Sequence, residues 1–221
     1  MDGEEDPGRL TPKGRATRER IIEAAADLMF RQGVTGTSID DVRKATGVSG
    51  SQMTHYFRDK RSLVRAVIAW QADTVIGLHQ QPALGQLDTF EALDRWAELN
   101  IARQREQHCQ GCSLGSLAGE LAQTDAETRA GLAAGFTRWE ALFRDGLQAM
   151  RDRGDLHPDA DPAQLADGLL ASLQGGTLLT QTTREISHLE AALKTALDHI
   201  RSYATSAAPG TAAPRPATAD A

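Results

Sequence analysis

The amino-acid sequence predicts an all-α protein, on three observations. Aromatic residues make up only 5% of the chain, and Val and Ile are few outside residues 21–76. The alternating β-branched and aromatic runs that a strand needs are therefore scarce. Apolar residues instead recur at three- and four-residue spacing in segment after segment. Gly, Pro and short polar residues fall at the ends of those segments, where helix caps belong. About nine helices are expected, with no internal repeat.

The first covers about residues 17–32, with Ile21, Ala25 and Leu28 on one face and Gly33 as its C-terminal stop. A short helix follows over 38–46, capped by Thr37 or Ser38 and carrying Asp40 and Asp41 in its first turn. Gly47 breaks the chain, and Ser49 opens a third helix with Gln52 at capping-box spacing. The fourth begins at Asp59, carries Leu63, Val67 and Trp70, and ends before Pro82. In the second half, residues 88–107 place Phe90, Leu93, Trp96 (or Ala97) and Asn100 on one face. Residues 113–123 form a short apolar helix, and Thr124 is placed to cap the next, over 125–153, which ends at Gly154. Pro162 opens a helix over 161–182, since the first helical position tolerates proline. The last, over about 186–204, shows Leu189, Leu193, Leu197 and Ile200 at helical spacing. The acidic lead 1–12 and the Ala/Pro-rich tail 206–221 lack the bulky side chains that offset ordering entropy, so both are expected to be disordered.

Several classes of protein are excluded early. No stretch approaches the ~18 consecutive apolar residues of a membrane span. The acidic start lacks a secretory pattern, which points to a cytoplasmic protein, and two cysteines cannot staple a secreted scaffold. The formal charge of −6 argues at first against a polyanionic partner. Divided by region, the conclusion reverses. Residues 13–65 hold 11 basic and 6 acidic groups, a net +5, whereas residues 66–221 carry −8 and residues 1–12 carry −3. The positive charge is concentrated on one stretch.

That stretch contains TSIDDVRKATGVSGSQMTHYFRDKRSL, residues 37–63, whose pattern is a helix-turn-helix. Ile39 and Val42 lie on one face of its first helix, Ala45 is small enough for a second helix to pass close, and Gly47 permits the turn. Val48 plugs that turn, while Met53 and Phe57 point inward. Gly50, Ser51, Gln52, Thr54 and His55 are left to face a groove.

With the entry helix RERIIEAAADLMFRQG, these residues resemble the N-terminal domain of TetR-type bacterial transcriptional regulators over residues 15–65. Helix order, the turn Gly47-Val48-Ser49 and the run Tyr56-Phe57-x-x-Lys60 all coincide. Two positions depart from the commoner pattern: Gly50-Ser51 stands where Lys-Gly is frequent, and Thr54 where an aromatic is frequent. One phosphate-binding lysine and one aromatic base contact are thereby lost, so base preference does not carry over.

The resemblance implies double-stranded operator DNA as partner. Thr37 or Ser38 would donate to a phosphate at a helix N-terminus. Gln52, Thr54 and His55 would face base edges. If Gln52 is held in its own capping box, Ser51 and Thr54 read bases instead. Tyr56 and Lys60 would bind phosphates and set register, and Lys13, Arg15 and Arg18 would follow the backbone or enter the minor groove. The domains expected are a DNA-binding unit over 13–62 and a ligand-binding and dimerisation unit over 63–205.

In the second unit, the two helices of 161–204 from each of two subunits would form a four-helix bundle. A homodimer is also required because one short recognition helix reads few bases. Gly175-Gly176 within a helix costs about 1 kcal/mol per glycine relative to Ala, and is explained by close helix packing, a kink or room beside a ligand. The family implies an effector pocket. Candidates for its wall are the aromatics Trp96, Phe136, Trp139 and Phe143 with the polar Asn100, Gln174 and Thr177, a mixture suited to a small molecule. The segment GCSLGSLAGEL and the later LQGG resemble the LmrA-like subgroup, which responds to drug-like or aromatic compounds.

Cys109 and Cys112 form a C-x-x-C pair, which allows a thiol-redox-responsive regulator as the alternative. No further Cys or His at ligand spacing completes a metal site, and no cofactor is expected. Hydrolase, nucleotide-binding and zinc-protease motifs are absent, so no enzyme is expected. The sequence therefore reads as a dimeric repressor that binds a palindromic operator and is released by an effector.

Overall fold

The computed structural model describes residues 10–81, 84 and 86–205. Among them are nine α-helices and no strand, apart from an isolated bridge between Leu156 and Ala204. The tail 206–221 and most of the acidic lead lie outside the described residues. The last residues of that lead do not belong to a lead at all. Thr11 accepts the Gly14 N–H through its side chain and α1 starts at Pro12, five residues earlier than the apolar periodicity indicates.

Helix α1 (Pro12–Gly36) buries Ile21, Ile22, Ala25, Ala26 and Met29. Gly33 does not end it. With φ 79° it kinks the helix, and one further turn follows to Gly36. Helix α2 (Ile39–Thr46) is capped by Ser38 in a reciprocal capping box with Asp41 and ends at Gly47, whose φ of 68° suits glycine. Helix α3 (Gly50–Tyr56) is capped by Ser49 in a second box with Gln52. Val42, Val48, Met53 and Phe57 are all buried, as the helix-turn-helix pattern requires. Ala45 is exposed, so its small size is not what admits α3.

Helix α4 (Lys60–His79), capped by Asp59, runs out of this three-helix unit and packs against both α1 and α7. Helix α5 (Phe90–Glu106) and helix α6 (Ser113–Leu121) follow, then α7 (Ala126–Arg153), α8 (Pro162–Thr183) and α9 (Ser187–Arg201). The cap of α7 is Asp125 rather than Thr124: the Asp125 carboxylate accepts the Thr128 N–H, while Thr124 bonds back to Leu121. Helices α8 and α9 lie closely packed as an antiparallel pair. A Cβ on Gly176 would stand 2.9 Å from that of Ala192 and 3.0 Å from the Leu189 Cα. Gly176 thus serves close helix approach, whereas the space beside Gly175 is open.

Candidate nucleic-acid interface and effector cavity

The two capping boxes decide what the helix-turn-helix can offer. At α2, Ser38 Oγ donates to the Asp41 carboxylate at 2.6 Å and accepts the Asp41 N–H at 3.1 Å. The Ser38 hydroxyl and backbone N–H hold the Asp41 carboxyl below its ordinary pKa. Ser38 is exposed, but its hydroxyl proton is already engaged. Thr37 departs from the expected role. It is 1% exposed, and its hydroxyl donates to the Gly33 carbonyl at 2.8 Å, filling the inside of the α1 kink. It has no surface from which to meet a phosphate.

At α3, Gln52 Oε1 accepts the Ser49 N–H at 2.9 Å, which leaves the Gln52 amide NH2 as a donor. Ser51 Oγ lies 3.0 Å from Ser49 Oγ, and Thr54 Oγ1 donates to the Gly50 carbonyl at 3.1 Å, turning its methyl group outward for contact. Ser49, Gly50, Ser51, Gln52, Thr54 and His55 form an exposed face opposite buried Met53. The ring of Tyr56 is half-buried, with its hydroxyl beside Gly14 at the start of α1, and Lys60 opens α4 next to it. Arg15 is exposed. Arg18 is held over the Phe57 ring, 5.3 Å from its centroid, so it also fastens α1 to the end of α3.

Behind this head, α1, α4, α5, α7, α8 and the start of α6 line a half-open cavity of about 300 Å³. Of the residues expected from sequence, Asn100, Trp139, Gln174 and Thr177 line it. Trp96, Phe136 and Phe143 do not. Trp96 and Phe143 are fully buried against each other, ring centroids 4.9 Å apart, and Phe136 stacks behind Trp139. The Trp96 indole N–H donates to His79 Nδ1 at 2.6 Å. Burial, helped by the charge of Arg103, lowers the His79 pKa to about 4, so the imidazole is neutral with its proton on Nε2.

Sequence reading missed the contribution of α1 and α4. Phe30, Trp70, Gln71 and His79 all line the cavity, as do Arg103 and Gln104 of α5. One signal was present: Gln71 interrupts the apolar stripe Val67, Ile68, Ala72, Val75, yet it is buried. Its Oε1 accepts the Ser113 hydroxyl at 2.8 Å, joining α4 to the start of α6. Gln104 clasps Gly111 through both carbonyl and N–H, which fixes the loop that forms one edge. Cys112 caps α6 through its sulfur and stands 3.8 Å from the Gln174 amide. Both cysteines are free thiols, and burial pushes the Cys112 thiol up, away from the thiolate that reacts with oxidants. Nothing here favours the thiol-redox alternative.

A second link joins the helical body to the head. The Glu120 carboxylate on α6 accepts the Val34 and Thr35 N–H groups, each at 2.8 Å, and the Thr35 hydroxyl at 3.1 Å. These are N–H groups that the kink at Gly33 releases from the α1 ladder. Burial by itself raises the Glu120 pKa, but the three donors outweigh it and hold the carboxyl below its ordinary value.

Fold and site together define a helix-turn-helix DNA-binding protein whose reading head is mounted on a cavity-bearing helical body. Comparison with known proteins gives the class a family. The family model for bacterial regulatory proteins of the tetR family matches residues 21–67, and that for the tetracyclin repressor-like C-terminal domain matches residues 91–196. The chain belongs to the TetR family of transcriptional regulators, whose members bind DNA and do not act as enzymes. It is 29% identical over 194 residues to an HTH-type transcriptional regulator in the lacX 3′ region of Lactococcus lactis subsp. lactis, covering 84% of this chain and 95% of that one. It is 22% identical over 190 residues to the HTH-type transcriptional repressor DhaR of Mycobacterium sp. strain GP1, covering 78% and 86%. Among solved structures, the regulatory protein TetR from Rhodobacter sphaeroides superposes with a TM-score of 0.72 at 22% identity, covering 83% of this chain and 98% of the other. Among the described residues no helix is long and apolar enough to cross a membrane.

Proposed function

We propose that the protein is a repressor that binds a palindromic operator as a homodimer and is released when a small-molecule effector enters the cavity. The observation that carries this reading is the shared wall. Phe30 of α1 and Trp70, Gln71 and His79 of α4 line the cavity, and these two helices also carry the reading head. A ligand that fits one arrangement of the walls better than another shifts the position of α3. Arg15, Ser49, Tyr56 and Lys60 are assigned to the phosphates, with Gly50 allowing close approach, while Ser38, whose donors are both held by Asp41, is left out. Ser51, the free amide NH2 of Gln52, Thr54 and His55 are assigned to base edges.

Dimerisation is supported by α8. Leu178 and Leu179 are 61% and 51% exposed, on the face that also carries Ala171 and Gly175. Large exposed leucines beside small residues suit a second copy of the α8–α9 pair. Footprinting on the promoter beside the protein's own gene is the test. Two protected half-sites related by two-fold symmetry are expected, with protection lost on adding effector. Protection of a single, asymmetric site would refute the dimeric reading.

A further inference from the structure

Resting on the reading of the cavity as the effector site, we infer that its ligand is a small organic acid, an apolar body carrying one carboxylate that meets Arg103. The inference starts from a charge without a partner. Arg103 lines the same cavity, half-buried, and forms no ion pair among the described residues. Most other arginines of the body, such as Arg105, Arg138, Arg144 and Arg153, have a carboxylate partner.

The surroundings agree in sign. His79, with Nδ1 occupied by the Trp96 N–H, has only a donor left to offer at Nε2. The Cys112 sulfur is already an acceptor for the Gly115 N–H and the Gln174 amide. The acidic groups in the wall, Glu23 and Asp27, lie on the exposed side of α1, and Asp27 is paired with Arg31. They therefore stand on the solvent side, while Arg103 lies near enough to His79 and Cys112 to act on both. Phe30, Trp70, Val75 and Leu173 supply the apolar walls.

The test uses the full-length protein and isothermal titration calorimetry with three probes that share a phenylmethyl body: phenylacetate, phenylacetamide and phenethylamine. Phenylacetate is expected to bind at least about tenfold more tightly than either of the others, as one charge-assisted hydrogen bond provides. Arg103→Gln should abolish that preference and Arg103→Lys should restore part of it. Equal binding of acid and amide, or tighter binding of the amine, would overturn the acid inference. So would failure of all three to bind. The cavity reading is tested separately by Thr74→Trp, which fills the cavity from an exposed position on α4 where the larger ring does not disturb the core. If effector release from operator is unchanged in Thr74→Trp, the effector-cavity reading itself fails. If release is blocked while the amide or amine binds best, only the acid inference fails.

Discussion

Replacing His79 with glutamine should remove a defined part of the protein's pH-dependent stability. His79 is 5% exposed, accepts the Trp96 indole N–H at 2.6 Å and packs 5.0 Å from the Trp139 ring. Burial, with Arg103 adding to it, lowers its pKa from 6.5 to about 4. Below pH 6.5 the unfolded chain takes up a proton that the folded chain excludes, so stability falls as pH falls. The contribution is complete above pH 6.5, declines from there to about pH 4, and levels off below that because both states are then protonated. At about 1.4 kcal/mol per pKa unit, the interval between 6.5 and about 4 amounts to about 3 kcal/mol. Glutamine does not titrate, and its carbonyl can still accept the Trp96 N–H. Urea unfolding of wild type and His79→Gln at intervals from pH 7.5 to about pH 4 measures the difference directly, because the other five histidines contribute equally to both. Wild type should lose about 3 kcal/mol more than His79→Gln as pH falls over the window. Parallel curves would show that burial does not hold the His79 pKa below its ordinary value.

Other substitutions address the remaining assignments. Lys60→Ala should weaken binding to all DNA sequences about equally and lower the salt dependence by about one unit of slope, whereas Thr54→Ala should change base preference, both measured by fluorescence anisotropy on operator variants. Gly176→Val should destabilise by about 1–3 kcal/mol in thermal melts, because backbone of α9 as well as a side chain stands in its way. Leu178→Arg with Leu179→Arg should leave the helical content unchanged but yield monomers in sedimentation velocity, since both side chains are exposed in the single chain. Glu120→Ala should leave the fold intact and reduce the ratio of operator affinities without and with effector. An unchanged ratio would exclude Glu120 from the coupling.

The helix-turn-helix was legible because everything that defines it is local. Ser38 with Asp41, Ser49 with Gln52 and Gly47 between them are contacts within a few residues, and the buried positions Val42, Met53 and Phe57 follow from helical spacing. The errors arise where a distant group decides. Thr37 has the side chain of a cap, yet it lies inside a kink whose freed N–H groups are satisfied by Glu120, 85 and 86 residues away in sequence. In the body, Trp96 and Trp139 are equivalent as amphipathic aromatics in long helices. The difference is that Trp96 finds His79, 17 residues earlier, whereas Trp139 lines the cavity with other atoms and its buried N–H has no acceptor among the described residues. Periodicity identifies which residues turn inward and is silent on whether they meet a neighbour or a space.

That distinction bears on how the protein can respond. Two connections run from the cavity to the head: α4, through Gln71 and Ser113, and the contact of Glu120 with the turn after Gly33. The second is an exposed carboxylate on three donors, and water can replace each of them, so about 1–2 kcal/mol is a reasonable strength. A ligand need only bind one arrangement about tenfold more tightly than the other to supply about 1.4 kcal/mol. The contact with Glu120 is thus strong enough to favour one setting of the head and weak enough for a small molecule to overcome. Reversal by so small a ligand would not follow if the head were joined to α6 by buried apolar packing alone, where separation exposes surface at about 25 cal/mol per Å².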